Sequence, residues 1–269
     1  MEKRDGVVVA SASSPPRRRW RAALPFLAVL ALWQAASSLG WASAYLLPPP
    51  LRVARAVAVA ASTGELGRHV AASVLRVVEG FGLSVALALP VAVLASLAPG
   101  LAAAFNPLFS FVRNVPPLAL VPVLILWFGI GEASKVALIV LASFFPIFMG
   151  TVTGLGNVDP RLVEMGRSVG FPRRRILLRI MIPESVPSVV NGLRLGLGYS
   201  WRALVGAEMV AAASGLGYWI LDAEEMARVD EVFAGILTIG VLGLVIDRAA
   251  FALASRLLPW AGLEAQWQA

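Results

Sequence analysis

The chain of 269 residues is 58% hydrophobic and only 14% charged, with a mean hydropathy of +0.78. Soluble domains carry about 25% charged residues, so this composition excludes an ordinary water-soluble globule. With no cysteine and a single histidine, His69, disulfides, thiol chemistry and Cys/His metal sites are excluded too. The net charge of +7 would suit nucleic acid or an anionic membrane surface. The basic residues fall on alternate loops, as topology determinants do, which argues against nucleic acid as a partner and for membrane lipid. A helix needs roughly 20 apolar residues to cross a bilayer. The length therefore suits one all-α bundle of several spans and no large soluble domain.

Residues 1–21 place Ser11, Ser13, Ser14, Pro15 and Pro16 ahead of Arg17, Arg18, Arg19 and Arg21. They lack periodicity and read as a disordered basic tail. An apolar run from Ala22 to Leu39 follows, and with Ala42-Ser43-Ala44 it has the outline of a signal peptide. The run is longer than a usual signal core and more apolar runs follow, so a retained first span is expected. Pro48, Pro49 and Pro50 stop any helix. Beyond them LRVARAVAVAA, residues 51–61, reads equally as an interfacial helix or an ordinary loop helix.

A second span is expected at 74–98, with Arg76 and Glu79 spaced to pair in its first turn. His69, ahead of it, reads as a solvated loop residue. A third span, 114–130, contains Pro116, Pro117 and Pro122. That predicts a bent or partly unwound helix, tolerated at membrane depth only against protein or a water-filled cavity. Those prolines are candidates for a pathway wall or for plain packing kinks. A fourth span covers 136–156, with Pro146 inside. A fifth covers 186–212 and carries Asn191, Arg194, Arg202 and Glu208; a loop over 213–231 leads to a sixth at 232–257 and a short tail, 258–269.

Lys and Arg set the orientation. One side collects Lys3, Arg4, the arginines of 17–21, Arg113, those of 161–179, Arg248 and Arg256. The other side has Arg52, Arg55, Arg68, Lys135 and Arg228. The positive-inside rule predicts six spans with both termini in the cytoplasm.

One polar insert, DPRLVEMGRSVGFPRRRILLRIMIP at 159–183, interrupts the apolar pattern. Asp159 suits an N-cap and Pro160 the first helical position. Gly170 suits the stop. Leu162, Met165 or Gly166, and Val169 form an apolar stripe, and Glu164 has Arg161 and Arg167 three residues away on either side. Pro172 starts a second short helix with Ile176, Leu177 and Ile180 on one face and Arg173, Arg174, Arg175 and Arg179 elsewhere. Pro183 is expected to end it. A positively charged loop could serve only as a topology anchor. That explains the arginines and leaves the caps, the glycine and the stripe unexplained.

The insert resembles the cytoplasmic coupling loop of bacterial ABC importer permeases, in which Glu-Ala-Ala is followed by a glycine and an Ile-x-Leu-Pro ending. Glu164-Met165-Gly166, Gly170 and Ile180-Met181-Ile182-Pro183 stand in those places. Met165 and Gly166 replace two alanines, Ile182 replaces leucine, and Gly166 weakens a helix by about 1 kcal/mol relative to Ala. LRVVEGFGLS, VPPLALVPVLILWFGIGEASK, GLRLGLGYSWRALVGAEM, SGLGYWILDA and VFAGILTIGVLGLVIDR are similar to the sulfonate/taurine/nitrate branch of these permeases. The resemblance covers residues 22–257, with the coupling loop at 158–183.

The resemblance implies a type I importer permease in the bacterial plasma (inner) membrane. A second permease copy, cytoplasmic ATPase subunits and a periplasmic or lipid-anchored solute-binding protein would be its partners. Glu164 would orient the coupling helix, Gly170 would permit its turn, and Arg173 or Arg174 would face acids on the ATPase. No cofactor of its own is implied, because ATP would sit on the partner. The chain agrees: a Walker A loop needs Gly-Lys-Ser/Thr, and Lys3 and Lys135 follow Glu2 and Ser134.

Arg202, near the middle of its span, marks a functional site by default. It lines the path of an anionic solute or bonds to carbonyls or an acid on a neighbouring helix. Glu208, six residues on, points about 120° away, so the two do not pair. It belongs to a gate or meets interfacial water. An ion-coupled carrier using Arg202, Glu208 and Asp247 as relay groups is the competing reading, and it leaves the insert without a purpose. An intramembrane enzyme would want a nucleophile–base pair or metal ligands, which the spans lack.

Overall fold

A computed structural model describes residues 17–41, 43 and 45–261. The readings for residues 1–16 and 262–269 lie outside the described residues. Among the described residues the chain is all helical. It divides into two compact units at Arg55 and Ala56.

In the first unit α1 spans Arg17–Ser38, so the helix starts inside the stretch expected to be a disordered tail. Its C-terminal half is tied to the loop that follows. The Trp33 indole N–H donates to the Pro48 carbonyl at 3.0 Å and the Ser37 hydroxyl to the Leu47 carbonyl at 3.1 Å. Pro50 then opens α2, Pro50–Ser62, at the first helical position, where its missing N–H costs nothing.

The second unit is built on three long helices: α3 (Glu65–Leu97), α6 (Glu132–Gly156) and α9 (Ile182–Ala211). Small residues let α6 and α9 approach closely. A Cβ on Gly150 would lie 2.6 Å from the Gly192 Cα, one on Gly154 2.8 Å from the Ser188 Cβ, and one on Gly196 2.8 Å from Ile147. Lipid is as apolar as leucine, so this packing contact, rather than the hydrophobic effect, drives helix association in a membrane. Gly80 does the same for α3, where a Cβ would meet Ile139 at 2.7 Å. Leu138, Ile139, Ile147 and Leu204 are fully buried between these helices.

Four helical runs are long and apolar enough to cross a membrane: Glu65–Leu97, Glu132–Gly156, Arg173–Val210 and Val229–Leu257, the last being α11. The apolar part of α1, Leu24–Ser38, is shorter. The expected third span is not one helix. Pro99–Asn114 forms α4, a 3₁₀ turn covers Pro117–Leu120, and α5 is only Val121–Phe128. Across Val115 and Pro116 the chain bends by 88°, so this pair is a fifth crossing only as a broken span. The cause is the Pro116-Pro117 pair, which removes two donors and disfavours helical geometry in Val115. Pro122 sits in the first turn of α5 and does no damage there.

Two further expectations are corrected. The second span begins at Glu65, well before residue 74. The loop at 213–231 contains α10, Leu216–Glu225, which buries Leu216, Trp219, Ile220 and Ala223.

Candidate functional site

The insert joins the C-terminal end of α6 to the N-terminal end of α9. α7 spans Pro160–Ser168, and the Asp159 carboxylate accepts from the Arg161 N–H at 2.9 Å, as its cap reading requires. Gly170 ends the helix with φ 78°. A left-handed conformation of this kind suits glycine. The Gly170 N–H bonds to the Arg167 carbonyl and the Phe171 N–H to the Gly166 carbonyl, at 2.9 and 3.0 Å, closing the turn.

Gly166, where alanine was expected, is the buried floor of this element. A Cβ there would lie 2.8 Å from the Ile180 Cδ1 and 3.3 Å from the Ile176 Cγ1. The helix-weakening residue is therefore what lets α7 lie on the next helix. That helix begins as α8, Arg173–Ile176, with Ile176 and Leu177 buried. Pro183 does not end it. A π turn over Leu177–Met181 carries the chain straight into α9, with Pro183 in the first turn of that helix. The wider turn lies where the proline's missing N–H and ring disturb the four-residue ladder.

The predicted stripe splits. Leu162 is half-buried and Gly166 buried, whereas Met165 and Val169 are 58% and 68% exposed. Two apolar side chains one turn apart thus face outwards from a strongly basic element. Glu164, Arg173 and Arg174 are exposed, and none forms an ion pair among the described residues.

At the opposite end of α6 and α9 the charges are paired, and of the four only Glu132 is exposed. Arg76 of α3 holds Glu132 through two hydrogen bonds, at 2.5 and 2.8 Å, and Glu208 of α9 at 2.7 Å. It also donates to the Ser214 carbonyl at 2.7 Å and to the Ser214 hydroxyl at 3.0 Å. The Glu208 carboxylate further accepts from the Ser73 hydroxyl at 2.9 Å and the Gly217 N–H at 3.0 Å. Lys135 donates to Glu132 at 3.0 Å. Two cations and two carboxylates balance, and they tie α10 and the loop before it onto α3, α6 and α9.

Several readings change here. Arg76 does not pair with Glu79, which is exposed. Glu208 is 1% exposed and does not meet interfacial water. His69 is 4% exposed; its Nδ1 accepts from the Gly215 N–H at 3.1 Å and its ring stacks over Trp219. Lys135 is equally buried and is not a loop charge. Reasoning from sequence missed this cluster, although one signal was there. Arg76 and Glu208 are opposite charges in two apolar helices, and at membrane depth such groups seek each other.

Arg202 lies on an exposed face of α9. Its Nε donates to the Gly198 carbonyl at 3.0 Å and its guanidinium sits 4.6 Å from the Tyr199 ring centroid. Pro116 and Pro117 form the 88° bend, and Pro117 borders a cavity of about 330 Å³. Asp247 of α11 pairs with Arg194 at 3.1 Å. Arg202, Glu208 and Asp247 thus have separate partners and form no relay.

A family model described as "Binding-protein-dependent transport system inner membrane component" matches residues 84–259. The permease protein SsuC of Bacillus subtilis, named for aliphatic sulfonates transport, is 36% identical over 249 residues, 91% of this chain and 90% of its own. The taurine transport system permease protein TauC of Escherichia coli is 35% identical over 239 residues, 87% of each chain. The nitrate import permease protein NrtB of Synechocystis sp. is 29% identical over 194 residues, 72% of this chain and 70% of its own. An inward-facing structure of the MetNI methionine ABC transporter is alike in fold, with a TM-score of 0.51 at 20% identity over 68% of this chain and 96% of that one.

Proposed function

Because the chain belongs to the family of binding-protein-dependent transport system inner membrane components, in its sulfonate/taurine/nitrate branch, we propose that two copies of it form the passage for a small anionic solute such as an aliphatic sulfonate, taurine or nitrate. It is a multi-pass inner-membrane permease subunit of an ABC importer and is not itself catalytic. Its partners are therefore an ATPase and a solute-binding protein. In our reading α1 and the broken pair α4–α5 also cross the membrane, giving six spans with both termini in the cytoplasm, in line with the positive-inside distribution. The insert, 158–183, then faces the ATPase.

The observation that carries the proposal is the surface of the insert. Met165 and Val169 are apolar and exposed, and they sit among charges that form no ion pair among the described residues. Glu164 sets the register of α7, Gly170 and Gly166 give the element its shape, Ile180 supports it, and Arg173 and Arg174 meet acidic groups on the ATPase. The π turn ahead of Pro183 keeps the insert continuous with α9, so movement at the docking surface reaches the bundle. Pro116, Pro117, Pro122 and Arg202 border the passage, while Glu208 holds its far end together.

The test is Gly170→Val in the complex reconstituted with its ATPase and binding protein. A β-branched residue at φ 78° is strained, and a Cβ there meets no neighbour within 4 Å, so the effect stays local. Solute-stimulated ATP hydrolysis should vanish while membrane insertion persists. Unimpaired coupling in this variant would refute the assignment of the insert.

A further inference from the structure

Arg113 reads in the sequence as one more charge on the basic side. The structure puts it elsewhere. As the last basic residue of α4, just before the 88° bend, it lines two cavities of about 330 and 270 Å³, which share Phe145 and Met149. The larger is walled by Pro117, Leu141, Phe145, Leu195 and Tyr199 as well. Leu141, Phe145 and Met149 lie in the middle of α6, and Leu195 and Tyr199 in the middle of α9. Arg113 therefore borders space that runs from the middle of these two helices towards the ends of α3 and α6, where Ala95 and Val152 line the smaller cavity.

Arg113 is exposed, so its guanidinium is open to a solute that enters the cavity, and a charge between membrane helices marks a functional site by default. Arg76 and Arg194 each pair with a carboxylate. Arg113 makes no ion pair or hydrogen bond among the described residues. Arg202 likewise has no carboxylate among the described residues, and Tyr199, against whose ring it lies, borders the cavity that Arg113 lines. One tyrosine thus links two cations to a largely apolar space.

We propose that this cavity is a binding stop for an oxyanion that carries a short carbon chain. Arg113 takes the anionic head, Arg202 adds positive charge beside Tyr199, and Leu141, Phe145 and Leu195 cover the chain. The inference rests on the permease reading and narrows it. A space of about 330 Å³ falls at the small end of ligand pockets. Its apolar wall favours an alkanesulfonate over nitrate, which has no chain to bury. An anionic lipid headgroup shares this chemistry, and the experiment separates the two sources.

Butanesulfonate, methanesulfonate and nitrate are titrated calorimetrically into the purified permease–ATPase complex without binding protein, before and after exchange into phosphatidylglycerol or into a zwitterionic lipid. Butanesulfonate should bind more tightly than the other two in both lipids. Arg113→Gln should weaken it about ten- to a hundredfold, the worth of a lost charge-assisted hydrogen bond, and Arg113→Lys should restore part of the loss. Co-purification of the ATPase with the unsubstituted chain tests the permease reading separately. The proposal is overturned if no titrant binds, if Arg113→Gln binds butanesulfonate like the unsubstituted chain, or if phosphatidylglycerol abolishes the binding and is itself lost on substitution.

Discussion

The two ends of the α6–α9 pair treat charge in opposite ways. At one end Arg76, Glu132, Lys135 and Glu208 satisfy one another. At the other, Arg161, Glu164, Arg167, Arg173, Arg174 and Arg179 point into solvent and form no ion pair among the described residues. Arg76, Lys135 and Glu208 are buried and only Glu132 is exposed, and paired buried charges serve the fold, because separating them is costly. Exposed charges add little to stability, since water already solvates them. The difference tells which end holds the bundle together, and it leaves the other end free for the partner that the proposed function assigns to it.

The sharpest way to break this contrast is Arg76→Met. It leaves the Glu208 carboxylate, whose side chain is 0% exposed, without its cation. Removing one partner of a buried pair costs about 3–5 kcal/mol, which should lower the denaturation temperature in detergent markedly. Adding Glu208→Gln, which keeps an acceptor for Ser73 and Gly217, should recover much of that loss. An Arg76→Met chain as stable as the original would mean that the cluster is ornamental.

A smaller effect is expected from the helix crossing between the two ends. In Gly150→Ala the new methyl falls 2.6 Å from the Gly192 Cα, so α6 and α9 must part. Overpacking of this kind costs about 1–3 kcal/mol. Gly156→Ala, where a Cβ meets nothing within 4 Å, is the control and should leave the denaturation temperature where it was.

Much of this was legible in the sequence, and the gaps have physical causes. The caps of α7, the Gly170 turn and the buried Ile176–Leu177 face follow from local rules, since each depends on residues only a few positions apart. Gly166 was legible only as a weakness, because Ile176 and Ile180, which require it, lie on the next helix. The small residues at 150 and 154, and at 188, 192 and 196, repeat every four positions and could have announced the α6–α9 crossing. Arg76 was assigned to Glu79 by i,i+3 spacing. That rule ignores how much stronger a non-local pair is once both charges leave water. The bend after Asn114 was anticipated from its prolines. α4 falls between the spans expected at 74–98 and 114–130, a stretch set between Pro99 and Pro116 to which no element was assigned.

The smallest effect on stability should come from the exposed end. Arg173→Ala combined with Arg174→Ala removes two side chains that touch no acid among the described residues, so the denaturation temperature of the isolated permease should not move. Binding to the ATPase should still suffer. Charges at the rim of an interface act mainly on association rate and on its dependence on salt. The doubly substituted chain should capture the ATPase more slowly at low ionic strength and approach the unsubstituted rate as salt rises. Surface-immobilised permease titrated with ATPase at several salt concentrations would show this. A lower denaturation temperature with unchanged capture would reverse the contrast, making the insert a structural brace and leaving its charges to the fold.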